Sequence, residues 1–243
     1  MARVFSAMPD HSPHADLFWF NWGPIFYRGR LNKKKVKLLV VASDPGPTER
    51  LIGRSLIGDA GQRVQGFLTK VGLTKSYLCL NAHPYSLHPS KFSAGKRLLG
   101  DEAFVKWRER LFNKTVGEKL QCIVAFGSQA QKAVDLWASK PAVPVFDIPH
   151  PSSRDPEKLA REWGAAVTAI RAFITPDDPA GLALPNYGVE HTHADYASIP
   201  RHDLPFGTPH FIGNDPPKGT SDFRQSTVKR SGDDIINWNI TGR

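Results

Sequence analysis

Two cysteines in 243 residues, Cys79 and Cys122, do not make a disulfide framework. Both sit in apolar runs, YLCLN and QCIVAF, where a thiol serves as a small buried hydrophobe. No apolar stretch approaches the roughly 18 residues that cross a bilayer, and the N-terminus MARVFSAMPDHSP has no long apolar segment, so a soluble, cytoplasmic protein without a membrane partner is expected. The Pro45-Gly46 loop is not followed by a P-loop lysine and has no carboxylate cluster for magnesium, which argues against a phosphoester hydrolase. His191 and His193 form an H-x-H without a third clustered ligand. No metal and no organic cofactor is expected.

Acidic charge is scarce in one part of the chain only. Residues 1–174 carry net +12 and residues 175–243 net −3, within a total of +9. A basic globular body suits a polyanion, of which nucleic acid is the commonest. At 40% hydrophobic residues the chain can bury one good core. The expected division is a globular domain over 1–174 and an extended segment over 175–243, rich in proline, glycine, histidine and aspartate. Tyr187, Tyr196, Phe206, Phe211, Phe223 and Trp238 are expected to pin that segment to the body. In the aromatic lead before Lys33, Trp19, Trp22, Phe26 and Tyr27 are expected to pack under the sheet. The run Lys33-Lys34-Lys35 reads first as a solvated loop and second as a phosphate contact.

The apolar run after Val36 reads as a strand buried on both faces. Further strands are expected at Tyr77 to Leu80, Gln121 to Gly127 and Val143 to Ile148. Helices are expected from about Ala60 to Val71, Phe104 to Leu120, Ser128 onward with Ser128 as the cap, and Asp155 to Phe173. This alternation is that of a three-layer α/β/α sandwich around a central four-stranded parallel sheet.

Each of three strands ends on a polar residue in a proline-bearing loop: Asp44 in SDPGP, Asn81 in NAHP and His150 in PHPSS. A parallel sheet brings all three to one edge, where open α/β sheets carry their chemistry. The amide can donate and accept along one edge of a pyrimidine. The imidazole can donate to an oxygen that gains negative charge, and the carboxylate can orient water and steady a cationic sugar.

With these loops the chain resembles the uracil-DNA glycosylase superfamily. The likeness lies in ASDPGPTE with the downstream IGRSLIGDAG, in YLCLNAHPYS and in IPHPSS, in the family's order, from about Val36 to Phe173. It implies a monofunctional DNA-repair hydrolase that cleaves the N-glycosidic bond of uracil in DNA to leave an abasic site. It further implies a monomer without cofactor, nucleoid-associated in a bacterium. By the resemblance Asp44 is the water-orienting acid, Asn81 the uracil-reading amide and His150 the group that stabilises the departing uracil anion. Pro45, Gly46, Leu56 and Tyr85 complete the uracil pocket, and Ser152, Ser153 and Arg154 meet the DNA. The chain departs from the family pattern in four places. Members with the Pro-Gly loop often carry an iron–sulfur cluster on four cysteines, which two cysteines exclude. Gly46 stands where the best-known members place a tyrosine against the thymine methyl. Leu56 stands where relatives place a stacking phenylalanine, which leaves Tyr85 as the expected aromatic. Arg154 stands in a loop without the large apolar wedge. The missing rings favour an alternative, a non-catalytic nucleic-acid-binding module that retains the base pocket. A uracil-bearing DNA is the partner in either case.

Overall fold

A computed structural model of the chain describes residues 1–20 and 23–205. In order, it forms α1 (Ala2–Phe5), β1 (Phe18–Trp19), β2 (Tyr27–Gly29), β3 (Leu38–Ala42), α2 (Pro47–Ile52), α3 (Asp59–Lys70) and β4 (Tyr77–Asn81). There follow β5 (Ser86–Leu87), α4 (Phe92–Leu98), α5 (Glu102–Thr115), β6 (Cys122–Phe126), α6 (Gly127–Asp135), β7 (Val145–Ile148) and α7 (Pro156–Arg171). Strands β3, β4 and β6 are buried at every position, in keeping with their apolar runs, of which only that of β4 ends on a polar residue, Asn81. Local chemistry sets the helix starts: the Asp101 carboxylate accepts from the Ala103 amide, and that of Asp155 from the Lys158 amide ahead of Pro156. Ser128 is not the cap expected for α6. The N-cap lies two residues earlier, at Phe126, with no side-chain cap bond, and the helix starts at Gly127.

The main sheet runs β2-β4-β3-β6-β7. Strands β4, β3, β6 and β7 are parallel and make up the expected four-stranded core. To these β2 adds a fifth, antiparallel edge, with Tyr27 opposite Leu80 and Gly29 opposite Leu78. The fully buried Arg28 at the centre of β2 interrupts any apolar pattern, which conceals this strand in the sequence.

Alternate strand residues enter two cores. On one face Leu38, Val40, Cys79 and Val124 pack against Phe67 and Leu68 of α3 and against Trp163, Val167 and Ile170 of α7. On the other, Leu39, Val41, Leu80 and Ile123 meet Trp107, Leu111 and Phe112 of α5 and Ala130 and Val134 of α6. Phe26 and Tyr27 join this second core as expected, but Trp19 does not lie under the sheet. It stands 40% exposed on the small β1-β5 ribbon, with the Arg50 guanidinium 4.5 Å above its ring. Trp22 lies outside the described residues.

Residues 175–205 lie along the α3 side of the body, held by the expected rings of Tyr187, which packs against Trp163, and Tyr196, which accepts from Arg63, and by polar contacts. Lys37 Nζ meets Asp177 at 2.9 Å, and the other Asp177 oxygen accepts the amides of Thr74, Lys75 and Ser76. Lys70 pairs with Asp195 at 3.1 Å. Gly66 permits this approach, since a Cβ there would sit 1.8 Å from the Asp195 carbonyl oxygen. Asp203 reaches the core, where it accepts the Tyr77 hydroxyl at 2.6 Å and lies 3.6 Å from buried Arg28. The expected pins Phe206, Phe211, Phe223 and Trp238 lie outside the described residues. Among the described residues no helix is long and apolar enough to cross a membrane.

Candidate active site

The chain leaves β3 toward β4 on one side and returns to β6 on the other, so the strand order reverses at the C-terminal ends of β3 and β6. A crevice must open there. It holds a cavity of about 240 Å³ lined by Ser43 and Asp44 beyond β3, by Phe126, Gly127, Ser128 and Gln129 where β6 passes into α6, and by His150 and Phe92. That volume falls below the roughly 300–1,000 Å³ of pockets for drug-sized ligands and suits one small ring.

Both carboxylate oxygens of Asp44 are fixed. The Ser43 hydroxyl donates to Oδ1 at 2.7 Å and the Leu87 amide to Oδ2 at 2.9 Å. The β1-β5 ribbon therefore orients the acid, and the Ser86 hydroxyl ties the same ribbon to the Pro45 carbonyl. Burial raises the Asp44 carboxyl above its ordinary value, against the two hydrogen bonds and with a further push from Glu49.

Beyond β7, Trp163 of α7 holds the loop by donating to the Pro149 carbonyl at 3.0 Å. The Ser152 amide donates to His150 Nδ1 at 3.2 Å. A ring nitrogen that accepts carries no proton, so the neutral ring keeps its proton on Nε2. Burial lowers the His150 pKa to about 4, which keeps the imidazole neutral at pH 7. Gly127 makes room for it: its φ is +79°, and a Cβ there would lie 2.9 Å from His150 Cβ.

The remaining wall is a buried polar chain. Gln129 donates to the Phe92 carbonyl at 2.8 Å, and its Oε1 lies 3.3 Å from His83 Nε2. Since Oε1 can only accept, His83 donates from Nε2. Its burial lowers its pKa to about 3. This chain holds the start of α4 against α6, with Phe92 lining the cavity and 44% exposed.

Of the residues expected from sequence, Asp44 and His150 share this cavity, and Ser152, Ser153 and Arg154 follow His150 on the outer loop. Ser152 and Arg154 are exposed, and the Ser153 amide bonds the His150 carbonyl at 2.8 Å. Asn81 lies at the end of β4 beside Ala42, is 6% exposed and is not part of the cavity lining. Its Oδ1 accepts the Ser55 hydroxyl at 2.9 Å, while its Nδ2 is buried with no partner. Pro45 and Gly46 lead into α2 behind Asp44. Leu56 does not face the cavity: it has φ +52°, is 5% exposed and packs into the α3-side core. The loop around it is clamped by Glu49, whose Oε1 accepts the amides of Ile57 and Gly58 at 2.8 and 2.9 Å. Tyr85 also points elsewhere, its ring 4.9 Å from His11 and 4.8 Å from Phe20. Besides the fully buried Phe126, the aromatic that lines the cavity is Phe92. Its one signal in the sequence is isolation, a single ring in the polar run HPSKFS. Gly127, Ser128 and Gln129 were announced only by a strand that ends on glycine.

The three-layer α/β fold thus sets a fixed acid and a neutral imidazole on one ring-sized cavity at its switch point. The model of the uracil DNA glycosylase superfamily matches residues 29–166, more than half of the chain, and the chain belongs to that superfamily. Membership makes it a glycosylase in general, with DNA as its substrate. No curated protein matches the chain. The iron–sulfur cluster of some relatives has no ligands here: Cys79 and Cys122 are buried strand residues whose thiols burial pushes up to about 11 and about 12.

Proposed function

We propose that the protein excises uracil from DNA by hydrolysing the N-glycosidic bond, leaving an abasic site. The observation that carries this reading is the pair formed by Asp44 and His150 on one cavity large enough for a single base. To enter a cavity of that size the nucleotide leaves the stack. As the bond to the base breaks, negative charge grows on uracil O2, where the neutral imidazole donates from Nε2 without bringing a proton that would have to be lost. Positive charge grows on the sugar, where the Asp44 carboxylate steadies it and then orients the incoming water.

Two further residues support uracil as the base. Asn81 lies outside the cavity lining, but its Nδ2 is a buried donor without a partner; an unsatisfied group of this kind costs about 1–3 kcal/mol, and uracil O4 satisfies it once the wall between them opens to the base. Phe92 offers a partly exposed ring for the face of the base. Incubation with a uracil-containing oligonucleotide followed by alkaline strand cleavage tests the proposal. A cut at the uracil position is the expected result. DNA binding with no cut by the folded protein would leave a binding module.

A further inference from the structure

The opposite end of the sheet carries a feature that base excision does not use. At the N-terminal ends of β3, β4 and β6 lies a concavity of about 610 Å³ whose walls include Arg30, Lys34, Lys35, Lys37, Lys75 and Lys119. A second concavity, of about 440 Å³, shares Lys34 and Lys119 with it and adds Lys33 and Glu118. Together they form one groove, with Glu118 as the acid on its walls. Asp177 reaches its edge, but that carboxylate is already held by Lys37 and by three backbone amides. Lys33, Lys34, Lys35, Lys75 and Lys119 are exposed and make no ion pair among the described residues.

We propose that this groove is a second DNA-binding surface, which holds the phosphate backbone of a duplex segment distinct from the one in the catalytic crevice. Five strand residues at about 3.3 Å each separate the two edges of the sheet by roughly 17 Å, and they face opposite ways, so one straight duplex cannot occupy both. Unpaired lysines converging on a concavity attract a linear polyanion and release its counterions. A membrane surface is disfavoured, because none of the large apolar residues that stand exposed (Trp19, Leu51, Phe92, Phe173, Leu184 and Val189) lines the groove. A lysine patch that binds headgroups is held firmly where such side chains also insert. With a second segment held, the enzyme can pass from one stretch of DNA to another without full release.

The test uses the full chain and the variant Lys34→Ala/Lys35→Ala/Lys119→Ala, three exposed positions outside the crevice. Affinity for an undamaged duplex is measured by anisotropy from 50 to 200 mM salt. Three lost phosphate contacts lower the log–log salt slope by about 0.9 each. Over that range the wild-type affinity should therefore fall about 40-fold further than that of the variant. Single-turnover uracil release at saturating enzyme should be unchanged. An unchanged slope overturns the proposal, as does a parallel loss of single-turnover release, which would assign these lysines to the crevice's own DNA track. Lysine-dependent co-sedimentation with phosphatidylserine vesicles in place of duplex binding would assign the groove to lipid. The proposal stands apart from uracil excision: if neither protein releases uracil while the slope still drops, the reaction assignment fails and the groove remains.

Discussion

Replacing Asp44 by asparagine removes a charge from the crevice while keeping its scaffold. The Leu87 amide still meets an amide oxygen, and the Ser43 hydroxyl can rotate to accept from the new Nδ2, so both contacts of the wild-type carboxylate survive. The missing negative charge is what the sugar cation would feel. At about 4 Å and an effective dielectric near 20 that attraction is about 4 kcal/mol. At about 1.36 kcal/mol per decade the expected loss is about 10³ in single-turnover uracil release. The variant separates a catalytic from a structural role by its stability. Because burial raises the Asp44 carboxyl in the folded chain, the fold binds that proton more tightly than the unfolded chain does. Stability due to Asp44 therefore falls as pH rises from 3.8 through the raised value. An uncharged asparagine escapes this, so the variant should melt at or above the wild-type temperature at pH 7. Wild-type release should fall as pH drops through the same raised value, and the residual activity of the variant should lack that limb. Release within about tenfold of wild type by a folded variant, or an acid limb that persists, would refute the role given to Asp44.

Asn81→Asp exchanges the buried Nδ2 donor for an acceptor, so uracil excision should fall about 5- to 150-fold and cytosine should gain relative to it, read on paired uracil and cytosine oligonucleotides. Phe92→Ala should raise KM by a similar factor, from the roughly 1–3 kcal/mol of base stacking, with little effect on melting because Gln129 holds the backbone carbonyl and not the ring. Asp203→Ala leaves Arg28 buried beside no carboxylate and should cost about 3–5 kcal/mol in a denaturant titration. His83 and His150, held neutral by burial with pKa values of about 3 and about 4, take up protons more readily when unfolded. Stability should therefore decline as pH falls from 6.5 toward those values, read as melting temperature against pH.

The parallel core was legible because β3, β4 and β6 are buried on both faces and leave continuous apolar runs. The placing of Asp44 and His150 on one edge was legible because each follows an apolar strand and is followed at once by a proline. What stayed hidden depends on contacts distant in sequence. β2 is short and centred on an arginine whose partners, Gln65 and Asp203, lie far along the chain. Their motifs place Leu56 and Tyr85 in the pocket, yet the positive φ of Leu56 accompanies a side chain in the core, and Tyr85 completes a ring cluster with His11 and Phe20. Phe92 reaches the cavity lining through a Gln129 contact 37 positions away.

The buried meeting of Arg28, Tyr77 and Asp203 also orders events during synthesis. Tyr77 and Asp203 are 126 positions apart, so a ribosome adding roughly 5–20 residues per second makes Arg28 and Tyr77 some 6–25 s or more before their acidic partner exists. Over that interval the cation of β2 has no carboxylate to face. The pairing of that cation is therefore timed by translation of the segment beyond α7. Slow codons between Asp177 and Asp203 should lengthen the time the nascent chain is open to proteases.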